Sequence, residues 1–455
     1  MIPVVTPEEM KAVDEAAPEP TDVLVHRAGG AVTRMAIDML GGVYGRRVAV
    51  VAGKGNNGAD GRDAAARLSR RGMRVHLIEA ADAPARLPDV DLVIDAAYGT
   101  GFHGEYEAPD PGGAPVLAVD IPSGVNGLTG EAADGAAWAD RTVTFAALKP
   151  GLLLGAGRDR AGLVEVVDIG LDVSGATASL VEGADVAEWL PRRERETHKW
   201  KTSAWVAAGS PGMTGAAEVC SRSALRAGAG LVRLGIPGLD APPVPLEVVG
   251  RPLPRTGWDD NVLDELDRFH ALIVGPGLGR SEEQGDAVRA LLERAQVPAV
   301  VDADGLYALE DVKRAAEVIG KRTHPTVLTP HEGEFAHLSG EKLGADRIDA
   351  ARRLAASTGA TVLLKGSTTT VADPDGRVLL SAAGDARLAT AGTGDVLSGV
   401  IGAFLAQGLD GPRAAAAGAW AHATAAHLGW QRGLVAGDLL DLIPAVLSAL
   451  DSGDA

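Results

Sequence analysis

The feature that most constrains this chain is a repeated alternation of short apolar strands with glycine-rich turns and helices. In the first half it predicts, in order, strand Arg47–Ala52, helix Asp63–Arg71, and strands Met73–Glu79, Asp91–Ala96 and Ala114–Asp120. Two later segments, 141–144 and 162–168, extend the set. Strands joined through helices run parallel, because the crossover returns the chain to the same edge of the sheet. The sequence therefore predicts an α/β fold built on parallel sheets.

The same alternation restarts in the second half, after a strongly charged segment at 191–199 that is typical of a linker. It predicts strands Ala204–Ala208, Ala271–Val274, Ala299–Val301, Thr326–Leu328 and Thr361–Leu364, and helices beginning near Val396 and Gly418. Because 455 residues exceed one ordinary core, we expect two α/β domains, 1–190 and 200–455, joined by 191–199. The segment 237–254 holds six of the 26 prolines and is expected to form an extended excursion or lid.

Composition limits the classes of partner. A net charge of −18 disfavours binding to nucleic acid or to an anionic membrane, since both depend on clustered Lys and Arg. No apolar stretch approaches the roughly 20 residues that cross a bilayer, and no secretory signal is visible, so we expect a cytoplasmic protein. Cys220 is the only cysteine, which excludes an internal disulfide and a multi-thiolate metal site.

The run Gly53-Lys54-Gly55-Asn56-Asn57-Gly58-Ala59-Asp60-Gly61 follows a strand and precedes a helix, as a phosphate cradle requires. Its glycines satisfy G-x-G-x-x-G and Glu79 ends the next strand, so a dinucleotide-binding Rossmann fold is one interpretation. The amides and the carboxylate within the run favour a second one, a site for a polar ligand or a cation. Both stay open on these residues alone.

Polar groups also follow two further strands of the first half. The runs Asp95-Ala96-Ala97-Tyr98-Gly99-Thr100-Gly101 and Asp120-Ile121-Pro122-Ser123-Gly124 each begin with a carboxylate. In a parallel sheet these strand ends share one edge, where ligands bind. Each aspartate taken singly could be a turn residue that accepts backbone hydrogen bonds, but the series favours a common site.

These three runs closely resemble the NAD(P)H-hydrate epimerase domain, also called the YjeF N-terminal domain, over about residues 5–190. The resemblance implies a Rossmann-like three-layer α/β/α domain that interconverts the R and S forms of hydrated NADH and NADPH (NADHX and NADPHX). It also implies a bound potassium ion with ligands Asn57, Asp95 and Ser123, and an acid or base such as Asp120. The implied hydrate-binding residues are Asn56, Asn57, Gly58, Ala59, Asp60, Gly99, Thr100, Gly101, Phe102, His103, Gly104, Glu105 and Asp120. Ala59 replaces a glycine that is common in the family.

In the second half, the run 389–399 places Asp395 behind a small-residue loop, Gly392-Thr393-Gly394, and ahead of an apolar helix. The glycines and the helix N-terminus suit an anion. The run therefore predicts either a helix cap or a catalytic carboxylate in a phosphate-handling site.

Other motifs of the second half decide between these two interpretations. They are Met213-Thr214-Gly215-Ala216, Gly275-Pro276-Gly277-Leu278-Gly279, Asp302-Ala303-Asp304-Gly305, Thr329-Pro330-His331-Glu332-Gly333-Glu334-Phe335 and Lys365-Gly366-Ser367-Thr368-Thr369. Their order, ending in Gly-Thr-Gly-Asp, is similar to the ADP-dependent NAD(P)H-hydrate dehydratase domain of the ribokinase-like superfamily, over about 198–450.

The second resemblance implies a ribokinase-like α/β domain with two sets of ligand contacts. Ala216, Gly277, His331 and Asp395 would face the hydrate, and Lys365, Gly366, Ser367, Thr368, Thr369 and Gly394 would hold the adenine nucleotide. His198-Lys199 is kept, but Trp200 stands where a glycine often follows in the family.

Together the resemblances imply an isomerase and a lyase that use NADHX or NADPHX and ADP or ATP with Mg²⁺. Asp395 would act as general base while the hydroxyl is phosphorylated, and phosphate would then depart. We also expect a homo-oligomer. Two other hypotheses are a ribokinase-like small-molecule kinase fused to a cofactor-binding module, and a non-catalytic scaffold that keeps the epimerase fold.

Overall fold

A computed structural model describes residues 1–452, so the last three residues of the predicted second domain lie outside the described part of the chain. It forms two compact units, Ile2–Ala178 and the chain from Ser179 onward. The division precedes the predicted boundary at 190 because Val181 and Val186 are buried in the core of the second unit. Residues 191–198 contain no helix or strand. Among residues 1–452, no helix combines the length and the apolar character that a membrane crossing requires.

The first unit is built on a parallel sheet of six strands. Its elements are β1 Ile2–Val4, α1 Pro7–Ala16, α2 Thr21–Leu40, β2 Arg47–Ala52, α3 Asn56–Arg70, β3 Arg74–Glu79, β4 Leu92–Ala96, β5 Val116–Val119, β6 Arg141–Phe145, α4 Gly155–Arg160 and β7 Leu163–Val167. The order along the sheet is β3-β2-β4-β5-β6-β7, and every neighbouring pair is parallel. Each strand predicted in the first half is present, and the parallel sheet is confirmed.

The two faces of this sheet are covered differently. Val48 and Val50 of β2 pack in one core with α2 and α3, whereas Ala49 and Val51 point to the opposite face. That second face packs on segments that include Leu87, which lies outside any α-helix. The alternation along β2 follows from the two-residue period of a strand.

Helix α3 begins at Asn56, so the predicted start at Asp63 is wrong. The polar part of the glycine run forms the first turns of the helix instead of a loop before it. Helix α1, by contrast, has the N-terminal cap that its sequence indicates: Thr6 accepts from the Glu9 N–H at 3.1 Å, and Glu9 accepts from the Thr6 N–H at 2.7 Å.

The second unit is a larger α/β domain. Its elements are β8 Ala178–Leu180, α5 Gly183–Trp189, β9 Ser203–Ala207, α6 Thr214–Arg226, β10 Leu231–Pro237, β11 Val249–Leu253, α7 Trp258–Leu266, β12 Ala271–Val274, α8 Glu282–Arg294, β13 Ala299–Val301, α9 Asp304–Ala308, α10 Val312–Ile319, β14 Thr326–Leu328, α11 Glu332–Ser339, α12 Arg347–Thr358, β15 Thr361–Leu364, β16 Thr369–Ala372, β17 Val378–Ser381, α13 Thr393–Ala406, α14 Gly411–Leu428 and α15 Ala436–Ser452.

In this unit the order β17-β16-β15-β14-β13-β12-β9-β10-β11 is antiparallel between β15 and β17 and parallel elsewhere. The five strands predicted from 204 onward are all present. The predicted excursion at 237–254 contains the edge strand β11, because its residues pair in register with β10. The carboxyl ends of β9, β12, β13, β14 and β15 therefore lie along one edge of the sheet.

Candidate functional site

In the first unit, glycine allows the turn after β2 to approach the neighbouring strand. A Cβ on Gly53 would lie 1.8 Å from the Ala97 carbonyl oxygen, and one on Gly58 would lie 1.9 Å from the Gly53 oxygen. Neither position tolerates a side chain without a shift of the backbone. The close packing fixes the N-terminus of α3 beside the end of β4.

A cavity of about 470 Å³ opens at this edge. Its lining includes eight of the residues implied to bind the hydrate: Asn56, Asn57, Asp60, Gly99, Thr100, Gly101, Phe102 and Asp120. Five others, Gly58, Ala59, His103, Gly104 and Glu105, are absent from that lining. Asp14, Lys54, Tyr98 and Lys149 also line the cavity, and we did not predict them.

Asp120 lies at the end of β5 in the left-handed backbone region, at φ +67°. Such a conformation is uncommon for a residue with a side chain and often marks a functional position. Lys149 is almost completely buried, and its Nζ lies 2.7 Å from Asp120 Oδ1. Thr144 donates to the same oxygen at 3.1 Å. The carboxylate at the cavity wall is thus held in place by a buried ammonium.

Asp60 provides a second carboxyl group with a different charge state. Burial, followed by the charges of Asp120, Asp63 and Asp14, raises its pKa to about 8. At pH 7 it is mostly protonated and can donate a hydrogen bond. The cavity therefore offers an ion-paired carboxylate and a neutral carboxylic acid.

All three implied potassium ligands are buried. Both amide atoms of Asn57 are buried without a hydrogen-bond partner within the described chain. Asp95 is 4% exposed and accepts from Ser123 N and Oγ at 2.8 and 2.6 Å, while no Lys, Arg or His nitrogen within residues 1–452 lies within 4.0 Å of it. Buried carboxylates normally have a positive partner, so these groups fit a monovalent cation. The described residues hold no group of three His, Cys, Asp or Glu suited to a metal.

The Rossmann interpretation depended on Glu79, which would bind a ribose. In the structure Glu79 accepts from Arg62 Nη2 at 2.5 Å, and Arg62 also donates to the Gly53 carbonyl at 2.7 Å. The Glu79 carboxylate is therefore paired with Arg62, which also contacts the turn after β2, and this pairing does not favour a ribose contact at Glu79.

In the second unit, the motifs that begin at 213, 275, 302, 329 and 365 follow the carboxyl ends of parallel strands, whereas the run 389–399 follows the antiparallel strand β17 and begins α13. Ala216 and Gly277 come together, since a Cβ on Gly277 would lie 3.1 Å from that of Ala216. Gly394, at the start of α13, lies close to two of these strand ends. A Cβ on it would lie 3.7 Å from Lys365 Nζ and 3.9 Å from Asp302 Oδ2.

Asp395 is the third residue of α13, where unpaired backbone N–H groups and the helix dipole favour negative charge. Burial, followed by the charge of Asp302, raises its pKa to about 7, against the opposing effect of Lys365. The N-cap residue of the helix is Gly392, at φ +89°, and no side chain caps this end, so Asp395 is not an N-cap residue. A carboxyl group near its pKa at neutral pH is suited to proton transfer.

A network of largely buried side chains joins Lys365, a predicted nucleotide contact, to Asp302, Glu334 and Ser398, which were not predicted as site residues. Lys365 Nζ lies 2.8 Å from Asp302 Oδ1 and 3.5 Å from Glu334 Oε2, and Ser398 donates to Asp302 Oδ2 at 2.6 Å. Burial would raise the pKa of Asp302, but Lys365 and the hydrogen bonds outweigh it and hold that pKa below its usual value. The sequence signals for this network were the motifs 302–305, 329–335 and 365–369, each of which follows a strand.

His331 caps helix α11. Its ring Nδ1 accepts from the backbone N–H groups of Gly333 at 2.9 Å and Glu334 at 3.2 Å. The backbone N–H of His331 donates to the Glu334 carboxylate at 2.8 Å. Nδ1 thus serves as the acceptor that caps the helix, while the other ring nitrogen lies 3.4 Å from Glu334 Oε1 on a side chain that is 56% exposed.

Comparison with known proteins matches each unit to a family. The family model for NAD(P)H-hydrate dehydratase matches residues 204–446, and the model for the YjeF-related protein N-terminus matches 21–86 and 77–151. A bifunctional NAD(P)H-hydrate repair enzyme of Moorella thermoacetica is 37% identical over 98% of this chain and 97% of its own length. One from Mycobacterium tuberculosis is 39% identical over 87% of each chain.

Solved structures resemble the second unit. A Bacillus subtilis ADP/ATP-dependent NAD(P)H-hydrate dehydratase, co-crystallised with ATP and Mg²⁺, is 29% identical, covers 59% of this chain and 97% of its own, and has a TM-score of 0.51. A ribokinase-like superfamily protein of Enterococcus faecalis, 19% identical, covers 61% of this chain and 98% of its own with a TM-score of 0.52. The second likeness concerns the fold alone.

Proposed function

Because the chain belongs to the family of bifunctional NAD(P)H-hydrate repair enzymes, we propose that its two units catalyse successive steps of one repair. The first unit interconverts the R and S hydrates of NADH or NADPH, and the second dehydrates the S hydrate. We assign the first activity to 1–190 and the second to 200–455. We also propose that the chain acts in the cytoplasm as a homo-oligomer.

For the epimerase we assign Asp120 as the residue that moves a proton at the hydroxyl of the carbinolamine carbon. Support comes from its position on the cavity wall and from the buried Lys149, which keeps an ionised carboxylate in a fixed orientation. Asp60 can donate to a hydroxyl of the hydrate, because its raised pKa keeps it protonated. The other assigned hydrate contacts are the remaining residues implied by the resemblance, of which six line the cavity.

Asn57, Asp95 and Ser123 would hold a potassium ion in this unit. The ion would supply positive charge to the buried Asp95 and fix the two loops that carry these residues. The unpartnered amide of Asn57 supports this assignment.

For the dehydratase, we propose that ADP or ATP enters with Mg²⁺, by analogy with the Bacillus subtilis protein. Lys365 to Thr369 and Gly394 would bind the nucleotide, while Ala216, Gly277, His331 and Asp395 would face the hydrate. Mg²⁺ would neutralise charge on the phosphates. The N–H groups that begin α13 would stabilise the charge that builds up on the transferring phosphoryl group.

The observation that carries the proposal is Asp395, with its pKa near 7, at the N-terminus of α13. Asp395 takes the proton of the hydrate hydroxyl while that oxygen attacks the terminal phosphorus, and the bond from phosphorus to the nucleotide breaks. ADP then leaves as AMP, or ATP as ADP. The lone pair of the ring nitrogen expels phosphate, and the neighbouring ring carbon loses a proton, which restores the reduced nicotinamide.

The test is the stoichiometry of the second step. With the S hydrate, ADP and Mg²⁺, the protein should release one phosphate for each reduced nicotinamide formed, measured by a phosphate assay and by nicotinamide absorbance. A stable phosphorylated hydrate with no return of absorbance would instead indicate a kinase.

A further inference from the structure

Arg347 lies against the turn that we assign to the nucleotide. It is the first residue of α12 and is half-buried, and its Nη2 donates to the Lys365 carbonyl at 2.8 Å. A Cβ on Gly366 would lie only 2.6 Å from the same Nη2 atom. The guanidinium therefore packs directly on the backbone of Lys365 and Gly366.

This guanidinium has no ion partner. Within the described residues no carboxylate oxygen lies within 4.0 Å of it, and its one hydrogen bond uses a single donor of the five that arginine carries. Arg353 on the same helix is exposed and pairs with Asp349 at 3.2 Å and with Glu341 at 3.6 Å. Burial lowers the pKa of Arg347, and the charge of Glu332 offsets this only in part. A half-buried cation without a counter-ion is unfavourable unless an anion binds to it.

The position of Arg347 on its helix is also unfavourable. The N-terminus of a helix carries partial positive charge, so it stabilises anions and destabilises a cation placed there. Asp346 already caps α12 through its bond to the Asp349 N–H at 2.9 Å, so Arg347 is not required for capping. Helix electrostatics therefore do not account for a cation at this position, and its bond to the Lys365 carbonyl uses only one of its N–H donors.

We propose that Arg347 is a further nucleotide-binding residue, whose guanidinium receives a phosphate of the nucleoside diphosphate held by Lys365 to Thr369. The proposal rests on the nucleotide site assigned under the proposed function. The planar guanidinium can present two parallel N–H groups to a phosphate, which an ammonium cannot do. The same residue fixes the turn through the Lys365 carbonyl.

The experiment compares Arg347→Met, Arg347→Lys and the control Arg353→Met in the full chain. Because a hydrogen bond between charged groups is stronger than one between neutral groups, its loss in Arg347→Met should raise the KM for ADP by about 10- to 100-fold. At saturating ADP, kcat should stay within about twofold, since Arg347 is not expected to touch the hydroxyl of the hydrate. Arg347→Lys should show a smaller rise, and Arg353→Met none. The epimerase rate of the first unit should not change in any variant.

Binding of shorter ligands separates a phosphate contact from a loosened turn. Calorimetry with ADP, AMP and adenosine should show the largest loss of affinity for ADP in Arg347→Met, and an equal loss for all three would overturn the phosphate contact. An unchanged KM for ADP, in a protein whose wild type dehydrates the hydrate with ADP, would overturn the role of Arg347 alone. A wild type without ADP-dependent dehydration would overturn the proposed function, and this inference with it.

Discussion

Asp395 shows how far a single residue can be understood from its neighbours. The sequence indicated a carboxylate behind a glycine loop and left a capping role open. The structure places it in the third position of α13, after an N-terminus without a side-chain cap. Burial, followed by the charge of Asp302, raises its pKa and the charge of Lys365 lowers it, and both residues lie far from it in the sequence.

Replacement of Asp395 by Asn tests its role as general base. We expect the dehydration rate to fall by about 10²- to 10⁴-fold, because the amide cannot accept the hydroxyl proton. ADP binding, measured by calorimetry, should remain detectable. The epimerase rate of the first unit serves as the control, because it should not change. A dehydration rate near that of the wild type would remove Asp395 from this role.

The same residue predicts a pH dependence. With a pKa of about 7, Asp395 is protonated and inactive as a base below that pH and becomes ionised above it. The kcat/KM of dehydration should therefore rise with pH through about 7 and then level off, in a steady-state profile. A profile that is flat from pH 5.5 to 8.5, or one that falls through 7, would contradict the assignment.

The residues that sequence reasoning missed share a physical reason. Lys149 and Asp302 act through partners that only the tertiary fold supplies, namely Asp120 and Lys365. No short motif places a lysine beside a distant aspartate. Arg347 was missed for the same reason, since its neighbour Lys365 lies on another element.

At the scale of elements, every predicted strand is present, because buried parallel strands are short apolar runs followed by glycine, but β10 and the antiparallel strands β16 and β17 were not predicted. The start of α3 was less predictable. Asn56, Asn57 and Gly58 have low helix propensity, but the close packing of Gly53 and Gly58 on backbone oxygens fixes the helix there. Tertiary packing thus overrides propensity at a position where the helix must approach neighbouring backbone closely.

Helix α13 carries Asp395 and packs very closely on α6. A Cβ on Gly399 would lie 1.9 Å from Ser223 Oγ and 2.3 Å from the Cys220 carbonyl oxygen. We expect Gly399→Ala to destabilise the second unit by about 1–3 kcal/mol, measured by denaturant unfolding, and to lower dehydration. Gly437→Ala is the matched control, because a Cβ there meets nothing within 4 Å. Equal stability of the two variants would show that the close packing of α13 is not required.

At the scale of the whole molecule, two α/β units and the order of their motifs followed from the sequence. The sequence did not predict where the two units divide. Val181 and Val186 precede the charged segment at 191–199, and yet both are buried in the core of the second unit. The potassium site stays a prediction, supported by the buried amide of Asn57 and by the buried Asp95, which has no Lys, Arg or His partner among residues 1–452.

The most direct test of the account is the fraction of a mixed hydrate that the whole chain repairs. With both epimers, ADP and Mg²⁺, the wild type should restore all of the reduced cofactor faster than spontaneous epimerisation allows, followed by nicotinamide absorbance. Asp120→Asn should repair the S fraction at the normal rate and then slow to the spontaneous rate. A wild type that stops near the S fraction would contradict the assignment of epimerase activity to the first unit.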